Sequence, residues 1–440
     1  MKPAHGGDYW DHDLGTIDFS ANINPLGPSK RALKAIEQWK INFYPPPYSP
    51  RLRSAVAGGL GVSEDCITLG NGSIEVLRDF CSRFLDKPDT ALIAGPTFSE
   101  YARFSQVYGR GARYVLASET NCFQHRAKDI TRSVDASTKV IFICRPNNPT
   151  GSVMAEEDLT RVLEFAQEKD IYLFLDEAFI EFSQSRSLAP LVEKWDKLFV
   201  LRSFTKFYAL PGLRIGYGVS NPGIIADLER VKTPWTVNIF AHDAAIESIH
   251  DKVYFEKTKK LIEKERRFLA SEISNLGVKV YPTDANFLLL KYNWNSRDMK
   301  TELLKEGLLI RDCSTFHGLD TRFIRVSVRG RKNNLMLIRA LEKQVKHGVK
   351  KGRECEYYPC HFEGQDCTYC FCPFYPCEDE RLGKNIVGRK GTRVWSCKDC
   401  RWIHEAETVR KIQTLLGEDD IEELSRERRL EIKEKAMKNI

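Results

Sequence analysis

Short apolar runs alternate with helical stretches through much of the chain, and this alternation limits the possible folds more than any other feature. Strands are expected at 139–144, 171–175 and 198–203, and a helix is expected at 155–168. Because strands that alternate with helices form a largely parallel, doubly wound sheet, the pattern predicts the α/β class. Ligand groups in such sheets gather at the carboxyl ends of the strands. Polar residues that follow these runs are therefore the first candidates for a functional site.

The composition restricts the function before any motif is considered. The 440 residues contain no run of about 18 apolar residues, the length that a membrane-spanning helix needs. The first residues, MKPAHGGDYW, lack the apolar core of a signal peptide, so we expect a cytoplasmic protein without a membrane partner. The 67 basic and 60 acidic residues are spread widely, so the net charge of +7 favours small anionic substrates over nucleic acid.

The stretch SFTKFYALPGLRIGY, at 203–217, has the residue types that hold an aldehyde cofactor. Lys206 would be the Schiff-base amine, because burial or a neighbouring cation can lower the pKa of an amine and make it nucleophilic near neutral pH. Ser203, Thr205 and Arg214 would bind a cofactor phosphate through hydroxyl groups and a charge-assisted guanidinium fork. A solvated loop lysine is the alternative interpretation.

Two upstream fragments add groups that suit the same cofactor. Asp176 follows the strand at 171–175, where a carboxylate can pair with a protonated pyridine nitrogen and keep the ring able to accept electrons. Asn148, in CRPNNPTG, would hydrogen bond the ring hydroxyl. The alternatives are a helix N-cap for the aspartate and an ordinary turn for the second fragment.

Further cofactor contacts are expected near two helix starts. GNGS, at 70–73, is predicted to be a tight turn before a helix, and the N–H groups of Gly72 and Ser73 would form an anion site. Phe98, after the next strand, would stack on the cofactor ring. Each of these residues also has a purely structural interpretation, as a turn or as part of the core.

Together these fragments resemble the fold-type I pyridoxal-phosphate (PLP) enzymes, the aspartate aminotransferase superfamily. The resemblance implies a PLP-binding large domain with a mostly parallel sheet, a smaller α+β domain, and catalytic roles for Lys206 and Asp176. It also implies a homodimer with shared active sites, in which Tyr44 crosses to the cofactor phosphate of the partner. Phe179 departs from the pattern, since many relatives have a tyrosine there that contacts the ring oxygen.

A narrower resemblance covers about residues 1–345. HGG, DFSANINPLG, GNGSIE, DEAF and IRVSVR are similar to segments of the L-threonine O-3-phosphate decarboxylases of cobalamin biosynthesis, whose phenylalanine in DEAF agrees with this chain. The resemblance implies release of CO2 from L-threonine O-3-phosphate to give (R)-1-aminopropan-2-yl phosphate. It places Arg325 on the substrate carboxylate, and His5, Asn24 and Arg311 on the substrate phosphate.

Two alternatives to this reaction stay open. The same residues suit a histidinol-phosphate-type aminotransferase. The bond that breaks at the α carbon is the one held perpendicular to the cofactor ring, and the sequence does not reveal which bond that is. The third hypothesis is a non-catalytic, metal-responsive protein with a vestigial cofactor fold. The presence of Lys206, Asp176, Asn148 and Arg214 disfavours it.

Eight of the thirteen cysteines lie between 355 and 400, which marks a separate module. Without export signals, clustered cysteines more often bind metal than form disulfides. Two zinc ions, or one iron–sulfur cluster and one zinc, fit the count, and a purely structural zinc fold is the simplest interpretation. The candidate ligands are Cys355, Cys360, His361, Cys367, Cys370, Cys372, Cys377, Cys397, Cys400 and His404.

The predicted domains follow from these shifts in composition. They are an N-terminal arm at 1–30, the large domain at 31–240, the small domain at 241–348, the cysteine-rich metal-binding domain at 350–404 and a charged tail at 405–440. The tail is expected to be a solvated amphipathic helix. The cysteine-rich module resembles small domains fused to cobalamin-pathway proteins, which implies a neighbouring step such as substrate phosphorylation, or docking of a partner enzyme.

Overall fold

A computed structural model describes residues 6–7, 12, 15–38, 41–346, 361–362, 365–369, 372–387, 393–397, 400–417, 419, 421 and 424–438. The chain divides into two compact units, the first made of 1–271, 280–291 and 295–337, the second of 272–279, 292–294 and 338–440. Within the described ranges no helix combines the length and the apolar character needed to cross a membrane.

The elements are numbered here in chain order. The strands are β1 Ile17–Asp18, β2 Ile67–Asn71, β3 Thr90–Gly95, β4 Gly111–Leu116, β5 Thr138–Cys144, β6 Tyr172–Asp176, β7 Leu198–Ser203, β8 Ile215–Ser220, β9 Lys279–Val280, β10 Phe287–Lys291, β11 Leu308–Leu309, β12 Arg311–Asp312, β13 Phe323–Ser327, β14 Lys384–Val387 and β15 Arg393–Ser396. The helices are α1 Lys30–Glu37, α2 Pro50–Leu60, α3 Ser73–Phe84, α4 Glu100–Tyr108, α5 Ala127–Arg132, α6 Glu156–Glu168, α7 Pro222–Glu229, α8 Ile239–His250, α9 Lys252–Asn275, α10 Ser296–Lys305, α11 Arg331–Lys346, α12 Ala406–Leu416 and α13 Arg426–Met437.

The first unit is built on a seven-stranded sheet in the order β2-β8-β7-β6-β5-β3-β4. β8 is antiparallel to both of its neighbours, and the pairs from β7 to β4 are parallel, so the predicted mostly parallel sheet is confirmed. Alternate residues of β6 face opposite sides: Leu173 and Leu175 pack in one apolar core and Phe174 packs in the other. Because both faces are covered, polar side chains can collect only at the strand ends.

A second sheet has the order β12-β13-β10-β9, with β13 antiparallel to β10 and to β12, and these last three strands belong to the first unit. The N-terminal arm reaches these strands: β1 pairs in parallel with β11, and the carbonyl oxygen of Phe19 accepts a hydrogen bond from the Ser327 N–H at 2.8 Å. The arm segment that follows, 20–22, is thereby held beside β13.

Several helix ends have clear local causes. Ser29 caps α1, since its side chain accepts a hydrogen bond from the Ala32 N–H. α8 and α9 are separate helices because the chain breaks at Asp251. Pro50 stands at the first position of α2, where proline is tolerated.

The second unit contains the antiparallel pair β14 and β15 and the helices α12 and α13. The expectation of a single solvated helix for the tail was wrong. Ile412 and Ile432, one on each helix, are buried in an apolar cluster that also contains Cys400 and Trp402. The tail therefore completes the core of the cysteine-rich segment, because two short strands alone bury little apolar surface. The predicted domain borders stay predictions.

Candidate active site

A cavity of about 630 Å³ lies where β6 and β7 end, and it brings together most of the predicted site residues. Asp176 is the last residue of β6, and Ser203 is the last residue of β7. This edge of a parallel sheet is where a doubly wound fold places its ligands. The predicted residues that line the cavity are Ser73, Phe98, Asn148, Asp176, Ser203, Thr205, Lys206, Arg214, Arg311 and Arg325.

Lys206 lies on the wall of this cavity, three residues after the end of β7. Burial among protein atoms, followed by the positive charges of Arg325 and Arg214, lowers the pKa of Lys206 to about 8. A lysine with this pKa has a substantial neutral fraction near neutral pH and is therefore a competent nucleophile. A bound anion would offset the charges of Arg325 and Arg214, so Lys206 is most easily neutral when no anion is bound.

Asp176 is buried and is held by two donors. Its Oδ2 accepts a hydrogen bond from the Tyr101 hydroxyl at 2.5 Å, and its Oδ1 accepts one from the Ala178 N–H at 2.9 Å. Burial raises the pKa of Asp176, and these two hydrogen bonds and the charge of Lys206 oppose that shift. A buried carboxylate is stabilised by a positive charge beside it, and a protonated ring nitrogen would supply that charge to Asp176.

The N-terminus of α3 and Arg214 form one end of the cavity. Gly72 caps the helix at φ 80°, a conformation that side chains rarely adopt, and a methyl group built there would overlap the Arg214 guanidinium. Gly72 itself does not line the cavity, whereas Ser73, the first residue of the helix, does. Ser203 and Thr205 add hydroxyl groups to the lining. This combination of helix N-terminus, hydroxyls and guanidinium suits a phosphate.

Arg325 and Arg311 line the same cavity from the second sheet. They face each other across the pair β12 and β13. Arg325 donates to the side-chain oxygen of Asn148 and, at 2.6 Å, to the carbonyl oxygen of Ser20. Burial, assisted by the nearby charge of Arg311, lowers the pKa of Arg325 to about 10, so it stays protonated at neutral pH. Arg311 donates to the Thr315 hydroxyl at 2.8 Å.

Besides Gly72, three predicted residues lie away from the cavity or outside the described residues. Asn24 is buried, donates through its side-chain amide to the carbonyl oxygen of Phe207 at 2.8 Å, and does not line the cavity. Its backbone N–H donates to the carbonyl oxygen of Lys206 at 3.1 Å, so Asn24 holds the loop of that lysine instead. Tyr44 is 84% exposed and packs on Trp235. His5 lies outside the described residues.

The structure also brings further residues to the cavity. The sequence places Asn22 and Asn24 in one loop that can lie near a ligand, and of the two it is Asn22 that lines the cavity, where it is buried. Tyr101 and Thr315 hold Asp176 and Arg311, respectively, and both line the cavity. Tyr101 is the second residue of α4, three positions after Phe98. Phe179 lines the cavity and packs edge-on against Phe287.

The cysteine-rich segment contains a second, smaller cavity. It is lined by four of the predicted thiols, Cys372, Cys377, Cys397 and Cys400, and by His361 and His404. Cys367 is described but does not line this cavity. Cys355, Cys360 and Cys370 lie outside the described residues. In the ranges that are described, no group of three or more Cys, His, Asp or Glu side chains is arranged to hold a metal ion.

The first cavity fits PLP by the chemistry of its groups. An amine of lowered pKa, a fixed carboxylate and a phosphate-binding helix terminus surround one space. Phe98 supplies an aromatic side chain on the lining. These are the groups that an aldehyde with a basic ring nitrogen and a phosphate requires.

Comparison with known proteins agrees with this geometry. Residues 346–427 match the model of a cysteine-rich small domain. A protein of Caldanaerobacter subterraneus subsp. tengcongensis, provisionally named a threonine-phosphate decarboxylase, is 38% identical over 80% of this chain and 97% of its own length. The histidinol-phosphate aminotransferase of Moorella thermoacetica is 35% identical over 74% of this chain and 84% of its own.

Two solved structures are similar to this chain. The histidinol-phosphate aminotransferase of Clostridium acetobutylicum has a TM-score of 0.70 at 33% identity and covers 74% of this chain and 98% of its own. The L-threonine-O-3-phosphate decarboxylase of Porphyromonas gingivalis has a TM-score of 0.66 at 25% identity, with coverages of 74% and 98%. The family model of the class I and II aminotransferases matches residues 15–341. The chain therefore belongs to the class I and II aminotransferase family.

Proposed function

We propose that the chain is a PLP-dependent carboxy-lyase that converts L-threonine O-3-phosphate to (R)-1-aminopropan-2-yl phosphate and CO2. The observation that carries the proposal is the pair of buried arginines, Arg311 and Arg325, on the wall of the cavity that also contains Lys206. Membership of the aminotransferase family supports PLP as the cofactor. The similarity to a relative named for this decarboxylation supports the substrate.

The two arginines would divide the anionic groups of the substrate between them. Arg325 would bind the carboxylate, because its present partners, Asn148 and the Ser20 carbonyl, are neutral oxygens. Arg311 would bind the phosphate together with the Thr315 hydroxyl. A guanidinium binds either anion through paired, charge-assisted hydrogen bonds, which fix orientation as well as add affinity.

The remaining residues would hold PLP and move one proton. Lys206 would hold the aldehyde, Asp176 the ring nitrogen and Asn148 the ring oxygen, while Ser73, Ser203 and Arg214 would hold the phosphate. When bound, PLP supplies an electron sink for the bond that breaks at the substrate α carbon. After CO2 leaves, Lys206 would deliver a proton to that carbon, a role that its pKa of about 8 suits near neutral pH because both protonation states are populated.

A histidinol-phosphate-type aminotransferase is the second candidate. It is favoured by the sequence identity to the relatives of that name, at 35% for the Moorella protein. The same lysine, aspartate and arginines would serve, and the reaction would differ in whether the carboxylate or the α hydrogen is held perpendicular to the cofactor ring.

Product analysis separates the two candidates. Purified protein reconstituted with PLP should release CO2 and a phosphorylated amine from L-threonine O-3-phosphate without forming a 2-oxo acid. Formation of an oxo acid, or turnover of histidinol phosphate with 2-oxoglutarate at a higher kcat/KM, would favour the aminotransferase. Lys206→Ala should abolish both turnover and the borohydride-reducible link to PLP, whereas the exposed Lys169→Ala should retain both.

The proposed substrate-binding roles of Arg311 and Arg325 can be tested against a neighbouring arginine, Arg322, as a control. Arg311→Gln and Arg325→Gln should each lower kcat/KM about tenfold or more, because each loses a charge-assisted hydrogen bond of about 1.5–3 kcal/mol. Arg322→Gln removes an arginine one residue before β13 that is ion-paired with Asp320 on the surface, so it should leave kcat/KM unchanged. Equal effects of all three substitutions would contradict the assignment.

We further propose a homodimer in which Tyr44 reaches the PLP phosphate of the partner. Tyr44 is supported in this role by its exposure and by the neighbouring apolar residues Ile41 and Phe43, which are 89% and 57% exposed. Large exposed apolar patches commonly mark interfaces. Analytical ultracentrifugation should show a dimer, and Tyr44→Phe should weaken PLP binding without changing the dimer. A monomer with full activity would refute both points.

The cysteine-rich module would serve a neighbouring step of cobalamin biosynthesis, such as phosphorylation of the substrate. Its fusion to the enzyme unit supports this inference, since fused modules share a cellular task. The full chain would be incubated with L-threonine and ATP, and formation of L-threonine O-3-phosphate would be followed by mass spectrometry. A chain that decarboxylates the phosphorylated substrate but never forms it would exclude the kinase step.

A further inference from the structure

Two buried charged residues stand directly beside the cavity residues at the ends of β6 and β7. Glu177 follows Asp176 at the end of β6, and Arg202 precedes Ser203 at the end of β7. Because successive residues of a strand point to opposite faces, Arg202 lies on the face of β7 opposite to Ser203. Asp176 and Ser203 line the cavity, whereas Glu177 and Arg202 do not. Glu177 is fully buried and Arg202 is 7% exposed, and burial of a charge is costly unless partners stabilise it.

Arg202 is the centre of a group of polar side chains. Its Nη2 donates to Glu181 Oε1 at 2.8 Å, its Nη1 donates to the Ser187 hydroxyl at 3.0 Å, and it forms an ion pair with Glu177 at 3.6 Å. Glu177 in turn accepts hydrogen bonds from Ser187 Oγ and, at 3.0 Å, from the Leu188 N–H. One guanidinium therefore ties the end of β7 to the segment that follows β6. We call Arg202, Glu177, Glu181 and Ser187 the strand-end cluster.

The segment held by Arg202 also contacts the loop that carries Lys206. Glu181 belongs to a short 3₁₀ helix after β6, and the last residue of that helix, Phe182, packs on Phe207 with ring centroids 5.1 Å apart. Phe207 is fully buried and directly follows Lys206 in the chain. A shift of the Glu181 segment would therefore be transmitted to Lys206 through this ring contact.

Stability alone does not explain the strand-end cluster, because its hydrogen bonding is incomplete. Among the residues that the structure describes, Arg202 Nε and Glu181 Oε2 have no hydrogen-bond partner, although both atoms are buried. Replacement of a buried ion pair by apolar side chains of similar size is often neutral or stabilising. The bonds that are formed are directional, since a guanidinium is a planar fork, and they restrict how the two strand ends lie relative to each other.

We propose that Arg202 is a positioning residue for the candidate site: through its two glutamate partners it holds the strand ends so that Asp176 and Lys206 face one space. The inference rests on the proposed function, in which Asp176 holds the ring nitrogen of PLP and Lys206 holds the aldehyde. Arg202 lines no part of the cavity, so it would act through these two residues and not on the substrate.

The amine of Lys206 reports its own position in the apoprotein. Burial, followed by the charges of Arg325 and Arg214, lowers the pKa of Lys206 to about 8, and the charges of Asp176 and Asp18 oppose that shift. These groups, and not the strand-end cluster, act most strongly on the amine. Loss of the cluster would therefore change the pKa of Lys206 by moving the lysine toward solvent, where the pKa approaches its ordinary value.

The double variant Arg202→Met/Glu181→Met tests the proposal, because it removes one positive and one negative charge together. In its apoprotein, the pH midpoint for acetylation of Lys206 by acetic anhydride, followed by mass spectrometry, should rise by about one unit toward that of an ordinary lysine. Arg83→Met/Asp227→Leu, which removes a surface ion pair of 3.0 Å between α3 and α7, should keep the wild-type midpoint. An unchanged or lower midpoint in the first variant would overturn the proposal, even if its unfolding temperature fell.

Arg202→Lys carries the test if the double variant does not fold. Lysine keeps the positive charge but lacks the planar fork, so it cannot hold two partners in one fixed geometry. The acetylation midpoint of Lys206 should rise here as well, by less than in the double variant. A midpoint equal to that of the wild type would show that the fork of Arg202 positions nothing.

Turnover of the PLP-loaded enzyme gives a second, independent readout. In Arg202→Lys, kcat for L-threonine O-3-phosphate should fall about tenfold or more, since small misplacements of reacting groups are costly. KM should change little, because Arg311 and Arg325 line the cavity from the other sheet. A wild-type kcat, or a loss confined to KM, would contradict the positioning role. The acetylation midpoint needs neither cofactor nor substrate, so a wild type without decarboxylase activity would refute the proposed function while that midpoint still tests Arg202.

Discussion

Tyr101→Phe tests whether the hydrogen bond to Asp176 sets the binding of PLP. Tyr101 is fully buried, and its ring stacks on Phe142 with centroids 5.1 Å apart and an interplanar angle of 7°. Phenylalanine preserves this stack and removes only the hydroxyl, which donates to Asp176 Oδ2 at 2.5 Å. The Ala178 N–H, on the other oxygen, then remains as the donor that the described structure gives to this carboxylate.

The magnitude follows from the loss of one hydrogen bond to a buried charge. Such a bond contributes about 1.5–3 kcal/mol, which corresponds to about 1–2 pKa units. Burial already raises the pKa of Asp176, so the substitution should raise it further. Because only the carboxylate form pairs with a protonated ring nitrogen, PLP should bind more weakly as the pH falls below the raised pKa of Asp176, and the loss of affinity should reach at most about ten- to a hundredfold.

The assay is titration of the apoprotein with PLP, followed by absorbance, from mildly acidic to neutral pH. A carboxyl whose folded-state pKa is raised loses its charge as the pH falls through that raised pKa, so the deficit of Tyr101→Phe should grow toward acidic pH. Tyr108→Phe, on the same helix, is the control, because the Tyr108 ring stacks on Phe104 rather than near Asp176. Wild-type affinity of Tyr101→Phe at every pH would refute the reasoning.

Three further predictions concern the other elements. Arg325→Gln removes a positive charge that helps to lower the pKa of Lys206 to about 8, so the pH midpoint of PLP incorporation by the apoprotein should rise, and an unchanged or lower midpoint would contradict this. Gly72→Ala should cost about 1–3 kcal/mol of stability, because of the positive φ, and weaken PLP binding by displacing Arg214, as thermal unfolding and PLP titration would show; full retention of both would contradict the overlap. Ile412→Ala should destabilise the second unit by about 2–5 kcal/mol in denaturant unfolding, because Ile412 is fully buried, and a negligible change would show that the tail does not complete that core.

The sequence predicted the central sheet well because its strands are buried on both faces. Continuous apolar runs such as 198–201 suit a strand that is buried on both faces, and the polar residues that follow the run then lie at the sheet edge. β8 was not predicted, since its segment, IGYGVS, has two glycines and follows the lysine loop without a helix between. Its antiparallel direction results from this short return to β7.

The candidate site was predicted best where a side chain is placed by a strand end, as Asp176 is. It was predicted worst in the arm, where Asn22 and Asn24 lie in the same irregular segment. Asn22 lines the cavity, and Asn24 binds the Phe207 carbonyl instead. No periodicity distinguishes these positions, because contacts made by a distant part of the chain decide which side chain faces the ligand.

In the cysteine-rich unit, too, contacts between distant segments decide which of the candidate side chains lie together. The Cys-x2-Cys spacing at 367/370 and at 397/400 is typical of metal-ligand pairs, so the sequence alone favours these two pairs among the candidate ligands. The described structure instead groups Cys397 and Cys400 with Cys372 and Cys377, and leaves Cys367 off the cavity. Pairing between segments depends on the helices of the tail, whose Ile412 and Ile432 share the core with Cys400.

The register between β12 and β13 bears on the choice between the two candidate reactions. Opposed residues of antiparallel strands lie about 4.5–5.5 Å apart at Cα and point to the same face, so Arg311 and Arg325 present two cations to one region of the cavity. Burial, and after it the positive charge of Arg311, lowers the pKa of Arg325, and an anionic ligand beside the two arginines would relieve that cost. L-threonine O-3-phosphate carries its carboxylate and its phosphate on adjacent carbons, so one small molecule can meet both cations. Histidinol phosphate has a phosphate and no carboxylate, so it leaves one arginine without an anion while it is bound. The spacing of the arginines therefore favours the decarboxylase substrate, whereas Lys206 and Asp176 suit both reactions equally.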